Sequence, residues 1–279
     1  MKREKIDWPS GARCASVLTF NLDAEYVWKG LAQDSDRRPK TLSLGKYGMK
    51  RGLHRVLQAL RERSLTATFF VPGAAALQYR KEITDIVEEG HEIGLHGYEH
   101  EDFSCLDYDE IKRLLEAGCE ALIKTTGTAP VGFRVPEGEM NQHLYEAMAA
   151  SGFLYSSSML GDDRPYLVQT EKQNKKIVEI PAPWELYDFL YFGFNYTPAF
   201  PAGQGRIANY SQVLGIFREE FRAYYRYGLC YVPQFDPQTI GTPGRIPLLE
   251  EIIKTIAHAE GTWIGTGCEM ASWWLENHR

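Results

Sequence analysis

Two histidines four residues apart, His96 and His100, lie in the run Leu95-His96-Gly97-Tyr98-Glu99-His100, directly after a short apolar stretch. On a helical turn that spacing puts both imidazoles on one face, within reach of one cation. Asp23 closes the run Thr19-Phe20-Asn21-Leu22-Asp23. Two imidazoles and one carboxylate make a metal site with positions left open for water or substrate. A bare HxxxH pair is a common accident, in which one histidine caps an element and the other lies on the surface. A strand ahead of the pair and a carboxylate at the end of another strand favour the metal. A third polar run, Phe133-Arg134-Val135-Pro136-Glu137-Gly138, sets a cation beside a turn.

These runs need elements to bring them together. Residues 15–20 and 66–71 are apolar and β-branched, the content of buried parallel strands. Residues 92–95, 131–134, 153–157, 177–180, 229–233 and 262–264 are further strand candidates. Helical spacing covers 49–63, 82–89, 107–124, 141–150, 210–227, 246–260 and 268–277. The polar stretch 29–48, with its proline and glycines, reads as a long functional loop. Strands alternating with helices predict a parallel α/β sheet, closed into a barrel or doubly wound. The three polar runs then fall at strand C-terminal ends, where barrel active sites collect. No repeat or linker divides the chain, so one domain over residues 1–279 is expected.

The ordered T-F-x-x-D, H-x-x-x-H and R-x-P-x-G runs resemble motifs one to three of the NodB-type polysaccharide deacetylases. TATFFVPG before a helix and GHEIGLHGYEHE agree. IVEIPAPWEL and FDPQTIGTPGRIPLLEEI look like a subgroup that includes peptidoglycan deacetylase-like proteins and metal-independent cyclic-amide hydrolases of the allantoinase and imidase kind. The resemblance spans residues 15–265 and implies a distorted (β/α) barrel of about seven parallel strands. It also implies a divalent metal, commonly zinc, held by Asp23, His96 and His100. Arg134 would orient a catalytic carboxylate or the substrate, with a structural ion pair as the alternative. Pro136, Glu137, Gly138 and Trp184 are the expected substrate contacts, and backbone donors near the third motif would hold an oxyanion.

Two positions depart from that pattern. The family's general base is an aspartate two residues before the metal aspartate; here the residue is Asn21, which cannot accept a proton at neutral pH. Where the family's last motif has a histidine that protonates the leaving amine, this chain has Asp236. Three explanations are open: a non-catalytic binder, a relocated carboxylate with Asp236 taking over acid–base work, or a different mechanism involving Asn21. Asp236, Glu25, Glu99 and Glu137 are the candidates for proton transfer, Asp236 first. An aspartate before Pro237 is also an ordinary turn former.

The rest of the sequence bounds the possibilities. A net charge of −6, with 44% hydrophobic and 24% charged residues, argues for a globular protein and against non-specific nucleic-acid binding. No apolar run near the first residues is long enough for a signal-peptide core or a membrane span, so a cytoplasmic location is expected. Five scattered cysteines without a CxxC pair fit a reducing compartment. Aromatics crowd 184–196 (Trp184, Tyr187, Phe189, Tyr191, Phe192, Phe194, Tyr196), which predicts a pocket rim and a subunit interface. The subgroup resembled implies a homotetramer. The expected activity is metal-dependent hydrolysis of a small amide or cyclic imide. The alternatives are N-deacetylation of peptidoglycan or another glycan, and an inactive metal- and ligand-binding homologue.

Overall fold

Residues 14–21 alternate in what they face. Phe20 points out and stacks on Phe69 at 4.9 Å and against Phe235 at 5.5 Å. Thr19 and Asn21 point inward, as the two-residue period of a strand requires. The computed structural model describes residues 6–31, 34–136, 139–197, 199–200, 202 and 207–278. Its strands are β1 (Cys14–Val17), β2 (Thr19–Asn21), β3 (Thr68–Val71), β4 (Glu92–Leu95), β5 (Gly132–Phe133) and β6 (Tyr155–Ser156). They continue with β7 (Tyr166–Gln169), β8 (Lys176–Glu179), β9 (Cys230–Tyr231), β10 (Gln234–Phe235) and β11 (Thr262–Gly265).

The strands make an 8-stranded sheet in the order β10-β2-β3-β4-β5-β6-β8-β7 and a 3-stranded sheet β11-β1-β9. Every pairing is parallel except β7 with β8. Leu18 alone separates β1 from β2, so the small sheet continues the first strand of the large one. Past β8 the chain returns to β10 through a parallel bridge between Tyr187 and Gln234 and a bond from Asp188 N to Gln234 O at 3.1 Å. The result is a curled, largely parallel sheet whose seam between β8 and β10 is held by that bridge. This is the expected α/β architecture, with β7 as an antiparallel edge and the first strand broken in two. No plain count of seven describes it.

Helices cover the outside. Leu53–Arg61, Tyr108–Thr126, Tyr210–Tyr227 and Ile246–Ala257 bury their apolar faces against the convex side of the sheet. Each fully buried Phe or Leu there contributes roughly 1.5–3 kcal/mol. A second cluster fills the lower interior of the curl, where Val17, Phe70, Tyr155 and Val178 meet Trp8 and Trp274. Glu92 lies at that end, accepting from Tyr155 Oη at 2.9 Å and from Thr68 Oγ1 at 2.8 Å. Burial raises its pKa, and these donors oppose the shift. The five cysteines are all free thiols, Cys14 and Cys230 being buried.

One expectation is corrected here. The stretch 29–48 is not a long loop, because Pro39–Tyr47 is a helix with proline at its first position, where the missing N–H is harmless. Gly45, which reads as a loop residue, belongs to that helix and lets it touch the backbone after β2. A Cβ there would overlap the Ala24 carbonyl and lie 2.5 Å from Glu25 N. The helix Gly73–Gln78 and strands β7 and β10 also went unforeseen. Tyr166-Leu-Val-Gln ahead of a polar turn carried a usable strand signal.

Because Ala24 adjoins Asp23, the close approach at Gly45 also fixes where β2 delivers its carboxylate. Gly45→Ala should destabilise the protein by about 1–3 kcal/mol, the usual scale for overpacking. Urea unfolding would show this as a lower midpoint at unchanged slope.

Candidate metal centre and cavity

Asp23 follows β2 at a sharp turn, where Ala24 takes a positive φ of 50° and Asp23 O accepts from Tyr26 N at 2.9 Å. His96 follows β4, its N–H bonded to Val71 O at 3.0 Å. The segment from His96 to His100 is not a helical turn. Gly97 has φ 74° and His100 has φ 67°, the left-handed region that a non-glycine residue seldom occupies. Glu101 holds this loop, its carboxylate accepting from Tyr98 N at 2.9 Å and from Glu99 N at 2.7 Å. The two imidazoles therefore converge through a clamped loop and not through helical periodicity. Backbone strain of this kind costs on the order of 1–3 kcal/mol and persists where the surroundings over-determine it.

Asp23, His96 and His100 are all buried, and one ligand atom from each lies within 4.8 Å of the other two. His96 Nε2 is 3.3 Å from Asp23 Oδ1, and His100 Nε2 is 3.5 Å from Asp23 Oδ2. His96 Nδ1 is 2.8 Å from the Arg134 carbonyl oxygen. A carbonyl only accepts, so Nδ1 carries the proton and Nε2 presents its lone pair to Asp23 and His100. Yet Asp23 Oδ1 and His96 Nε2 are buried without a hydrogen-bond partner. Two unsatisfied acceptors facing each other at a buried site are costly alone and suited to a shared cation. The donor set thus fits a divalent metal. Burial works against ionising Asp23, but His100 and then His96 outweigh it and hold the carboxyl below its usual range. Burial also lowers the pKa of His96, the direction that keeps a ligand imidazole neutral.

Arg134 lies fully inside the curl. Its Nε donates to Ser157 O at 2.7 Å and its Nη2 to Ser157 Oγ at 2.8 Å. Its Nη1 donates to Thr19 Oγ1 at 3.0 Å and to Asn21 Oδ1 at 2.9 Å, while the guanidinium sits 4.3 Å over the Phe70 ring. Burial lowers its pKa to about 10, which leaves it charged at neutral pH. Because a guanidinium only donates, the amide oxygen of Asn21 must face it and the amide NH₂ must point away. The Tyr187 phenol lines the same side of the interior; burial and then the charges of Asp23 and Asp236 raise its pKa, with Asn21 opposing the shift.

Asn21, Asp23, His100, Arg134 and Tyr187 open onto one cavity of about 670 Å³. Pro136 and Trp184 also line it, Trp184 with 74% of its surface exposed. Glu137 and Gly138 lie outside the described residues. Asp236 is buried but does not line the cavity, and its two carboxylate oxygens accept from Gln238 N and Gln238 Nε2, both at 2.8 Å. Burial, with the charges of Asp23 and Asp188, pushes its pKa up. Glu25 is held by Gln78 and Tyr79, with Tyr79 Oη at 2.6 Å, and Glu99 is exposed on the surface. The aromatic band is divided: Phe189 and Phe192 are buried in the protein, while Trp184 and Tyr196 are exposed. Tyr187 was legible in the sequence as one aromatic among seven, and nothing in its spacing marks it as a neighbour of Asn21.

Residues 45–156 match the family model described as polysaccharide deacetylase. The peptidoglycan deacetylase of Helicobacter pylori is 30% identical over 190 residues, covering 60% of this chain and 64% of that one, so the match spans less than two thirds of that relative. The allantoinase PuuE shares the fold, with a TM-score of 0.83 over 98% of this chain and 93% of that one, at 21% identity. A structure from Mycobacterium smegmatis, assigned to the polysaccharide deacetylases, superposes with a TM-score of 0.92 over 98% of this chain and 94% of that one. Its identity of 33% over that whole length, with the motif residues gathered around one cavity, establishes that the chain belongs to the polysaccharide deacetylase family, hydrolases of carbon–nitrogen bonds other than peptide bonds.

Proposed function

We propose that this chain is a metal-dependent hydrolase of a small amide or cyclic imide. One observation carries the reading: two orphaned ligand atoms, Asp23 Oδ1 and His96 Nε2, stand beside a cavity that Asn21 and Tyr187 also line. When held by Asp23, His96 and His100, a divalent cation such as zinc supplies Lewis acidity toward a substrate carbonyl and a water molecule. Asn21 has no proton-accepting role here. Held by Arg134 through its amide oxygen, it leaves its NH₂ to the cavity that Tyr187 also lines, and the Tyr187 phenol O–H is the donor to the substrate carbonyl as negative charge develops there. Arg134 is a positioning residue, and Asp236 supports the turn that carries Gln238. N-deacetylation of a glycan is the second reading, favoured by the likeness to the Helicobacter pylori peptidoglycan deacetylase.

Elemental analysis of the purified protein should find about one divalent metal per chain, and His96→Ala should lose it. A metal-free preparation with full activity would defeat the reading.

Tyr187→Phe should lower kcat by roughly 10²-fold, the scale for one lost oxyanion donor, with metal content and KM little changed. Asp236→Asn should keep most turnover. The reverse pattern would return proton transfer to Asp236. Acetamido sugars, cyclic imides and simple formamides make the panel for both variants.

A further inference from the structure

We infer that the cavity selects amides with an apolar body and no negative charge. This rests on the proposed function in taking the cavity as the place where substrate binds.

Most of the wall is hydrocarbon: Val27, Met140, Met159, Leu160, Phe189 and Leu190 contribute to it. Leu160 is 54% exposed at the mouth, close in character to the exposed Trp184. A sugar ring brings hydroxyls that must find partners when they leave water. The polar side chains of the wall have few bonds to give. Ser157 Oγ accepts from Arg134 at 2.8 Å, and Ser158 Oγ accepts from Val135 N at 3.0 Å and from Ser156 Oγ at 2.9 Å. Gln234 Nε2 donates to Pro183 O at 3.0 Å. These groups are tied into the wall, and each serine keeps only its own O–H to offer a ligand.

Charge points the same way. Among the described residues lining the cavity, Arg134 is the one Lys or Arg, and its three nitrogens are all engaged within the protein. Two carboxylates, Glu139 from the segment after β5 and Glu185 from the segment after β8, line the wall instead. A carboxylate at the far end of the substrate, away from Asp23 and the histidines, would meet these two surface-exposed acids and be repelled by them. A neutral body escapes that repulsion, and a cationic one gains from it.

A matched set of acetamides tests this by calorimetric binding to the metal-replete protein. N-acetylphenethylamine has the neutral apolar body, N-acetylphenylalanine adds one carboxylate, and N-acetylglucosamine has the polar body. The neutral compound should bind at least roughly tenfold more tightly than either of the others. In the Glu139→Gln, Glu185→Gln double variant, the gap between the neutral and carboxylated compounds should narrow by roughly threefold or more. Equal or tighter binding of N-acetylphenylalanine or N-acetylglucosamine overturns the inference, as does no binding of the neutral compound at millimolar concentration. Turnover is scored separately. Selective binding without hydrolysis would sink the proposed activity and leave the selectivity standing.

Discussion

A guanidinium buried inside a curled sheet, with no carboxylate bonded to it, is the constraint on which the site depends. Leaving such a charge unmet would cost several kcal/mol, so its surroundings must be built to answer it. Arg134 is answered by neutral acceptors from β2 and the end of β6 and by the face of Phe70. Those bonds tie β2, β5 and β6 together at the end where the polar loops emerge. Its backbone takes part too, since the Arg134 carbonyl sets the tautomer of His96. One residue therefore orients the amide of Asn21 and the imidazole of His96 at once.

Asparagine at position 21 obeys the same logic. An aspartate there would pair with the guanidinium and take its place as the third carboxylate near Asp23 and Asp236. The amide keeps the bond to Arg134 without adding a negative charge. Burial has already raised the pKa of Asp236 and brought that of Asp188 to about 7, so the interior below the cavity is sparing with negative charge. Behind the wall, Glu179 accepts from Ser158 N at 2.6 Å and Met159 N at 2.9 Å and fixes the loop that supplies Ser157 to Arg134. The arrangement is a network of donors and acceptors around a few charges, with the open positions gathered at Asp23 Oδ1 and His96 Nε2.

Much of this was legible in the sequence because it rests on local pattern. Apolar runs such as TATFFV mark strands, and the first two motifs, resembled in order, bring Asp23, His96 and His100 into one expected site. What stayed hidden depends on contacts distant in the chain. HxxxH spacing cannot distinguish a helical turn from a loop clamped by Glu101 with His100 at positive φ. Gly45 reads as a loop breaker until its helix is seen against Ala24. Tyr187 is separated from Asn21 by most of the sheet in sequence, and only the seam at Gln234 brings it across. Asp236 looked suited to proton transfer by alignment with a motif, while its orientation toward Gln238 is a matter of one turn's geometry.

The seam between β8 and β10 divides the ring by task. Asp23 and the two histidines come from the loops after β2 and β4, on strands joined by continuous parallel ladders. Trp184, Glu185 and Tyr187 come from the segment after β8, which reaches its neighbour through one isolated bridge. Changes of length or sequence in that segment alter the cavity wall while leaving the ladders under Asp23, His96 and His100 untouched. The fold is therefore modular: one arc of the ring can vary while the other keeps its register.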